Sequence, residues 1–511
     1  MPGLRKRESW IWFGYILMLS ATIPWHEPWN DEAQAWLLAR DLGLRDLIFN
    51  ALRYESHPPL WYLILWLPAH LHFSYLVFSW ISGAIATAGV YMLLRFAPFP
   101  FYLRAALPFT YFLAYQYAVV ARSYVLFPLI GFAVAHIYRV RPSRPVPMAV
   151  LLGLLANVSL HGTLVACAFA ALYAWDLWGE RQHPASAAID KKKVLIACCI
   201  FAISLGIVAI AVWPPKDLIT VATPSVMRAL RIAPGSQMIT TPDAKPSANN
   251  DTAPAVHNGG VRYKLSQLPH VASYSIASSR LLALILYMLI AAYLAHRRKI
   301  LLALPLIAII LFLGLVYARE WHLGLVWITL LMALWASWDT SDTTGVLNLQ
   351  NALAWVLTLI CVLQLSWTFH AIGYDIRFPY SGSKMAADYL KTVPPGTRIA
   401  GFTPQSSGVL PYFSSNIFFN QPAHGYWLWS SRNTIDIDAV QTISTLPAMI
   451  VLLRKPDAAI SDPPMWQYAI DRGYMETHRF CGRLYEPNAD VETSCYLVLQ
   501  PVASTTSVES R

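Results

Sequence analysis

Apolar residues in this chain come in long unbroken runs, separated by short polar stretches. Runs near residues 10–25, 75–94, 101–119, 122–138, 147–161, 163–178, 194–213, 280–295, 300–317, 322–338 and 350–370 approach the length of a bilayer-crossing helix. Together they predict about eleven crossings, each of roughly 20 residues. A shorter run at 60–71 predicts a helix lying along or dipping into a membrane surface. Two polar interruptions are longer than the rest, at 26–59 and 214–270, and the second contains PSANNDTAP and HNGG, the composition of a lid or a disordered loop. Within it, VMRALRI has the pattern of a short helix.

After residue 370 the pattern changes. MAADYLKTV reads as a helix stopped by Pro394, Pro395 and Gly396, and strand-like segments follow at 398–402, 449–453 and 495–500. The expected architecture is a polytopic α-helical membrane protein, with residues 1–370 as the transmembrane domain and 371–511 as a small α/β domain.

Charge adds orientation. Basic clusters stand at Arg5–Arg7, at Arg95 and Arg104, at Arg139, Arg141 and Arg144, at Arg181 with Lys191–Lys193, and at Arg297–Lys299. They fall in alternate connections, which is the positive-inside pattern. This places the N-terminus in the cytoplasm and residues 26–59, 214–270 and 371–511 outside. The connection at 339–350 is also expected inside, yet it has no Lys or Arg. The first run lacks a small-x-small cleavage site and reads as a retained anchor. The net charge of +10 therefore reports topology, not a nucleic-acid partner. Composition agrees: 56% of residues are hydrophobic and 13% charged, against about 25% charged in soluble proteins. Cys167, Cys198, Cys199 and Cys361 lie in apolar runs and read as small core residues. Whether Cys481 and Cys495 are bonded is left open by spacing.

Candidate chemistry concentrates in residues 26–62. Asp31 and Glu32 open the segment NDEAQAWLLARDL, where Asn30 can cap a helix and acidic residues suit its first turn. Neighbours on a helix point about 100° apart, so the two carboxylates cannot serve one proton. Asp31 is assigned as general base for an acceptor hydroxyl, and Glu32 as a group that orients a neighbour or binds a sugar hydroxyl. His57-Pro58-Pro59 forms a stiff corner before the next helix, either a plain helix start or the floor of a site. Arg122 and Arg319 stand at the outer ends of apolar runs, where an Arg either snorkels to the interface or grips a phosphate. Arg319 is followed by Glu320, Trp321 and His322, and His161-Gly162 marks a third outer turn. No phosphate-binding Gly-rich loop, H-E-x-x-H or Cys-x-x-Cys occurs, and no cytoplasmic connection is long enough for a nucleotide-sugar domain. No cofactor is expected; a divalent ion shared by Asp31, Glu32 and His57 is the alternative.

The Asp31-Glu32 pair, His57-Pro58-Pro59-Leu60, Ala121-Arg122-Ser123-Tyr124 and the tail segment MAADYLKTVPPGTRIAG resemble the GT-C glycosyltransferases. The likeness is strongest to glycosyltransferase family 39, the group of protein mannosyltransferase-like enzymes and lipid A sugar transferases. The wording at WHLG after Glu320 and at His161-Gly162 departs from that family. The resemblance implies transfer of a sugar, with inversion, from a polyprenyl-phosphate carrier to a lipid, glycan or protein acceptor outside the cytoplasm. It implies Asp31 as base with Glu32 beside it. It places His57 and Arg122, and less directly Arg319, around the substrate; Tyr124, His161 and His322 join them as substrate-binding candidates from their own positions at the outer ends of the runs. The competing readings are a lipid or polysaccharide transporter or flippase, a surface polysaccharide polymerase, and a non-catalytic envelope assembly factor.

Overall fold

The protein was analysed as a computed structural model that describes residues 4–140, 144–181, 190–215, 261–316, 319–340, 348–402, 404–421, 424–428, 446–454, 469–487 and 489–502. Of the expected loop at 214–270, residues 216–260, VMRALRI included, lie outside the described residues, and 261–270 are not loop but the start of a helix. Residues 341–347 of the connection that lacks basic residues also lie outside the described residues.

The helices in chain order are α1 (Lys6–Thr22), α2 (Asn30–Asp41), α3 (Leu60–His70), α4 (Val77–Phe96), α5 (Leu126–Val140), α6 (Pro145–Ala156), α7 (Leu160–Arg181), α8 (Lys191–Val212), α9 (Val261–Tyr274), α10 (Arg280–His296), α11 (Leu304–Leu315), α12 (Glu320–Ser337), α13 (Leu349–Arg377) and α14 (Ser383–Lys391). Strands β1 (Ile399–Gly401), β2 (Met449–Arg454), β3 (Tyr474–Glu486) and β4 (Ala489–Pro501) follow.

The expected fold class needs correction. Among the described residues, 6 helices, not about eleven, are long and apolar enough to cross a membrane: Val77–Phe96, Ser123–Val140, Leu160–Gly179, Lys191–Val212, Glu320–Ser337 and Leu349–Arg377. They are consistent with a multi-pass membrane protein. Of the other runs, 280–295 forms one unbroken helix of 17 residues, Arg280–His296, and the rest are apolar but interrupted. The run at 101–119 holds only Phe101–Ala106 as α-helix before Pro108 enters a 3₁₀ turn, and a wider turn follows at Phe112–Gln116. α1 stops at 17 residues where Pro24 starts a 3₁₀ turn, and α6 and α11 have 12 residues each. At 1.5 Å per residue, a helix of that last length covers roughly 18 Å, well short of a hydrocarbon core.

The long helices differ in what surrounds them. α12 is 89% buried inside the protein, whereas α8 is 17% buried and turns Leu195, Ile203 and Ile210 outward. A helix apolar all round belongs either inside a body or against lipid, and these two take one role each.

The second half of the correction concerns the C-terminal segment, which is not a small domain set apart. Its sheet has the order β1-β2-β4-β3, parallel between β1 and β2 and antiparallel elsewhere. Alternate residues face opposite ways. Val451, Leu453, Tyr496 and Val498 join the same hydrophobic core as the helices, while Ile450, Leu452, Leu497 and Leu499 build a smaller core behind. α2 is clamped beneath this segment. Arg40 donates to the carbonyls of Leu410 (3.3 Å) and Phe413 (3.1 Å), Asp41 accepts from Gly425 N (2.7 Å), and Asn30 accepts from the Tyr496 hydroxyl (2.8 Å). Cys167, Cys198 and Cys199 are exposed on helix faces rather than packed in the core, and only Cys361 of that group is buried.

The bundle has two chemically distinct ends. At one, Arg104 pairs with Glu8 (2.6 Å), Arg297 with Asp339 (2.5 Å), and Arg139 donates to Trp338 O (3.1 Å). At the other lie His26, Asp31, Arg122, His161, Arg319 and the sheet.

Cys481 and Cys495, opposite each other in the β3–β4 register, form a disulfide that closes a separation of 14 residues. Replacing both by Ser is expected to lower stability by about 3 kcal/mol, the loop-closure value for a ring of about this size. Thermal unfolding in detergent by intrinsic fluorescence measures this. An unchanged transition would show that the bond contributes nothing.

Candidate functional site

The chain leaves α1 through Ile23–Trp25 and enters α2 with Trp29 extended before the first turn. There the two acidic neighbours part. Glu32 is fully buried: Oε1 accepts from Ala121 N (2.7 Å) and Oε2 from Trp29 N (3.0 Å), while His26 Nε2 lies 3.4 Å from Oε2. Asp31 points to the other side, its side chain 20% exposed, and pairs through Oδ2 with Arg122 Nη2 at 2.7 Å.

Arg122 stands just before α5 in extended conformation. Its guanidinium lies 5.0 Å from the Trp321 ring, 5.2 Å from Tyr124 and 5.8 Å from Trp29, within cation–π range of all three. Its Nη1 is buried without a hydrogen-bond partner. Arg319, just before α12, also lies over Trp321 (5.8 Å), and its Nε is likewise buried and unsatisfied. Two helix starts therefore deliver two guanidinium groups to one indole.

The histidines complete the wall. His322 Nδ1 accepts from Arg319 N (3.2 Å), which leaves Nε2 to donate to the Tyr124 hydroxyl (2.9 Å). The His161 ring stacks 4.5 Å from His322, and its Nε2 is buried without a partner. Gly162 allows this approach, because a Cβ there would collide with the carbonyl of Leu155. His57 follows Ser56, which takes a left-handed backbone (φ 54°). His57 Nδ1 donates to Glu55 O (2.6 Å), and its ring feels Arg122 and Asp31. Burial lowers its pKa, so it stands neutral.

The structure thus brings together Asp31, His57, Arg122, Tyr124, His161, Arg319 and His322. It separates Glu32 from them, in a second, wholly buried cluster. His26 Nδ1 meets Asp375 Oδ2 at 2.9 Å, and the Tyr115 hydroxyl donates to Asp375 Oδ1 at 2.8 Å. The Tyr380 ring packs 4.6 Å from the imidazole. Burial alone would lower the pKa of His26, but Asp375 and Glu32 outweigh it and push it up to about 10. Burial pushes Glu27 up to about 7, against the pull of its bonds from Lys384 N and the Ser383 hydroxyl.

An ion shared by Asp31, Glu32 and His57 does not fit this geometry, since Glu32 turns away. Among the described residues no group of three His, Cys, Asp or Glu side chains is arranged to hold a metal ion. Sequence reasoning passed over Trp29, Trp321, His26 and Asp375. Asp375 was findable as an acid inside a long apolar helix, a position that costs free energy and calls for a partner. Two cavities lie beside the cluster rather than at it. One of about 550 Å³ is lined by Arg45, Asp46, Phe49 and Asn50. One of about 250 Å³ opens between α3, α6 and α8 near Pro59 and Asn157.

No protein-family model matches the chain, and neither the curated proteins nor the solved structures include a match.

The buried cluster predicts a pH signature. The folded pKa of His26 lies above its ordinary value of 6.5. Its stabilisation is therefore complete below that value and lost as pH rises through about 10. Glu27 acts in the same sense around pH 7. The melting temperature in nanodiscs should fall steadily above neutral pH. His26→Gln should flatten the part of the fall between pH 8 and 10 and lower stability by about 3–5 kcal/mol at pH 7, because it leaves Asp375 and Glu32 without their cation. Parallel melting curves for the two proteins would refute this.

Proposed function

We propose that the protein is an inverting glycosyltransferase that moves a sugar from a polyprenyl-phosphate carrier to a lipid, glycan or protein acceptor on the outer membrane surface. The observation that supports this best is the Asp31–Arg122 pair beneath Trp321. There a carboxylate stands 20% exposed, and a guanidinium keeps one buried N–H group without a partner. A base and an anion grip side by side are what this transfer needs.

The acceptor hydroxyl attacks the anomeric carbon. Its proton passes to Asp31, the carbon–oxygen bond to phosphate breaks, and polyprenyl phosphate leaves with the electron pair. A single displacement inverts the configuration. Arg122 carries the charge that grows on the leaving phosphate, and Arg319 adds a second guanidinium across Trp321. His161 offers its unpartnered Nε2 to the sugar, and His322 and Tyr124, bonded to each other, wall the site. Glu32 serves by holding the backbone at Ala121.

The orientation follows from charge. The end that carries Arg104, Arg139 and Arg297 faces the cytoplasm, and the end with Asp31 and the sheet faces outward. A disulfide on the same side suits an oxidising compartment.

Two measurements test this reading. Purified protein in nanodiscs is supplied with radiolabelled decaprenyl-phosphate hexoses and pentoses and an envelope lipid and glycan extract. Asp31→Asn should lower turnover by about 10²–10⁴, and Arg122→Gln by about 10²–10³. Undiminished turnover in Asp31→Asn removes it from the chemistry. A reporter fused after Arg377 should be exported; a cytoplasmic readout inverts the scheme.

A further inference from the structure

The buried cluster behind the site is not used in the transfer step, yet it touches the site at one point. Glu32 holds Ala121 N at 2.7 Å, and Ala121 is the residue before Arg122. Glu32 in turn faces His26, and His26 is tied to Asp375 at 2.9 Å. Asp375 lies near the end of α13, 349 residues after His26, with its second oxygen held by Tyr115 (2.8 Å). The side chains of His26, Glu32 and Asp375 are all 0% exposed. A carboxylate that only capped α2 would need no cation behind it. Glu32 already has its cap bond from Trp29 N, and its other oxygen is spent on Ala121.

The geometry points to His26 as a positioning residue for Arg122, acting through Glu32 and the Ala121 amide. This rests on the proposed anion-binding role of Arg122. The imidazolium donates to both carboxylates at once and so fixes the rotamer of Glu32. Glu32 then fixes the peptide that sets where the Arg122 side chain departs, against Asp31 on one side and Trp321 on the other. Movement at Asp375 reaches the site by the same route.

The test uses the full chain in nanodiscs and decaprenyl phosphate as probe. Arg122→Gln, His26→Gln and Asp375→Asn should each weaken binding by about tenfold or more, a typical size for members of one hydrogen-bond network. The double variant His26→Gln/Arg122→Gln should bind no worse than Arg122→Gln alone, because His26 acts only through the guanidinium. A merely structural role would instead add its loss on top, and additive losses overturn the proposal. Unchanged binding in both His26→Gln and Asp375→Asn also overturns it. Should His26→Gln fail to fold, the same cycle is run with Asp375→Asn.

Hydrogen exchange at the peptide covering residues 119–125 gives a readout that needs no ligand. Exchange should quicken there in His26→Gln and Asp375→Asn while α5 itself stays protected. If the wild type fails to bind decaprenyl phosphate, the glycosyl-transfer reading falls. The positioning claim is then decided by this exchange, and unchanged rates at Ala121 overturn it.

Discussion

One buried imidazole between two buried carboxylates ties the sheet-bearing end of this protein to the helices. Taking three ionisable groups out of water costs several kcal/mol for each ion. Only a matched geometry offsets that, and here nearly every oxygen has a partner: Tyr115 and His26 on Asp375, and Ala121 N, Trp29 N and His26 on Glu32. Such a network adds little net stability over a well-packed apolar one. What it contributes is register. Three segments far apart in the chain can meet in one arrangement, because any other leaves a charge stranded.

Around that anchor the site is assembled from helix starts. Arg122 precedes α5, Arg319 precedes α12, His161 opens α7, and Asp31 sits in the first turn of α2. A helix start exposes unsatisfied N–H groups and favours negative charge. Two of these starts deliver their guanidinium groups to Trp321 without any dedicated loop. α12 is the structural reason they converge. Buried on nearly all sides, it gives every neighbouring helix a common surface, and Gly324 lets Phe112 and Tyr117 approach its first turns so that Tyr117 donates to Trp321 O (2.8 Å).

The sequence made the members of this cluster legible because polar residues at the edges of apolar runs are few and costly. Arg122, Arg319, His161 and His57 stood out for that reason. Helical periodicity alone showed that Asp31 and Glu32 point apart, not which of them is buried. What escaped was set by contacts between distant segments. Trp29 and Trp321 are two of 20 tryptophans, and nothing local marks them as the box around a guanidinium. His26 gains its meaning only from Asp375. The number of crossings was overestimated because a hydropathy run counts residues and ignores backbone. Pro24 and Pro108 break the helix while leaving the run apolar. The C-terminal sheet was read as separate because the unbroken apolar run MIVLL of β2 shows that both faces are buried, not that one of them is buried against helices.

The Asp31–Arg122 pair, in the proposed reaction, couples the two halves of the chemistry through charge. While Asp31 is ionised it neutralises much of the field of Arg122. At an effective dielectric of about 20, opposite charges roughly 4 Å apart attract by about 4 kcal/mol. Proton transfer from the acceptor hydroxyl removes the charge on Asp31. The guanidinium is then free to act on the phosphate at the moment the departing ester takes on its second negative charge. The same proton that makes the acceptor nucleophilic strengthens the grip on the leaving group. Water would gain the same advantage, so the arrangement is useful only where water is kept out. The rings of Trp29, Trp321 and Tyr124, packed edge to face among themselves and with His322, surround Arg122 on the sides that Asp31 does not cover. The aromatic wall and the ion pair are therefore one device, and neither serves the transfer without the other.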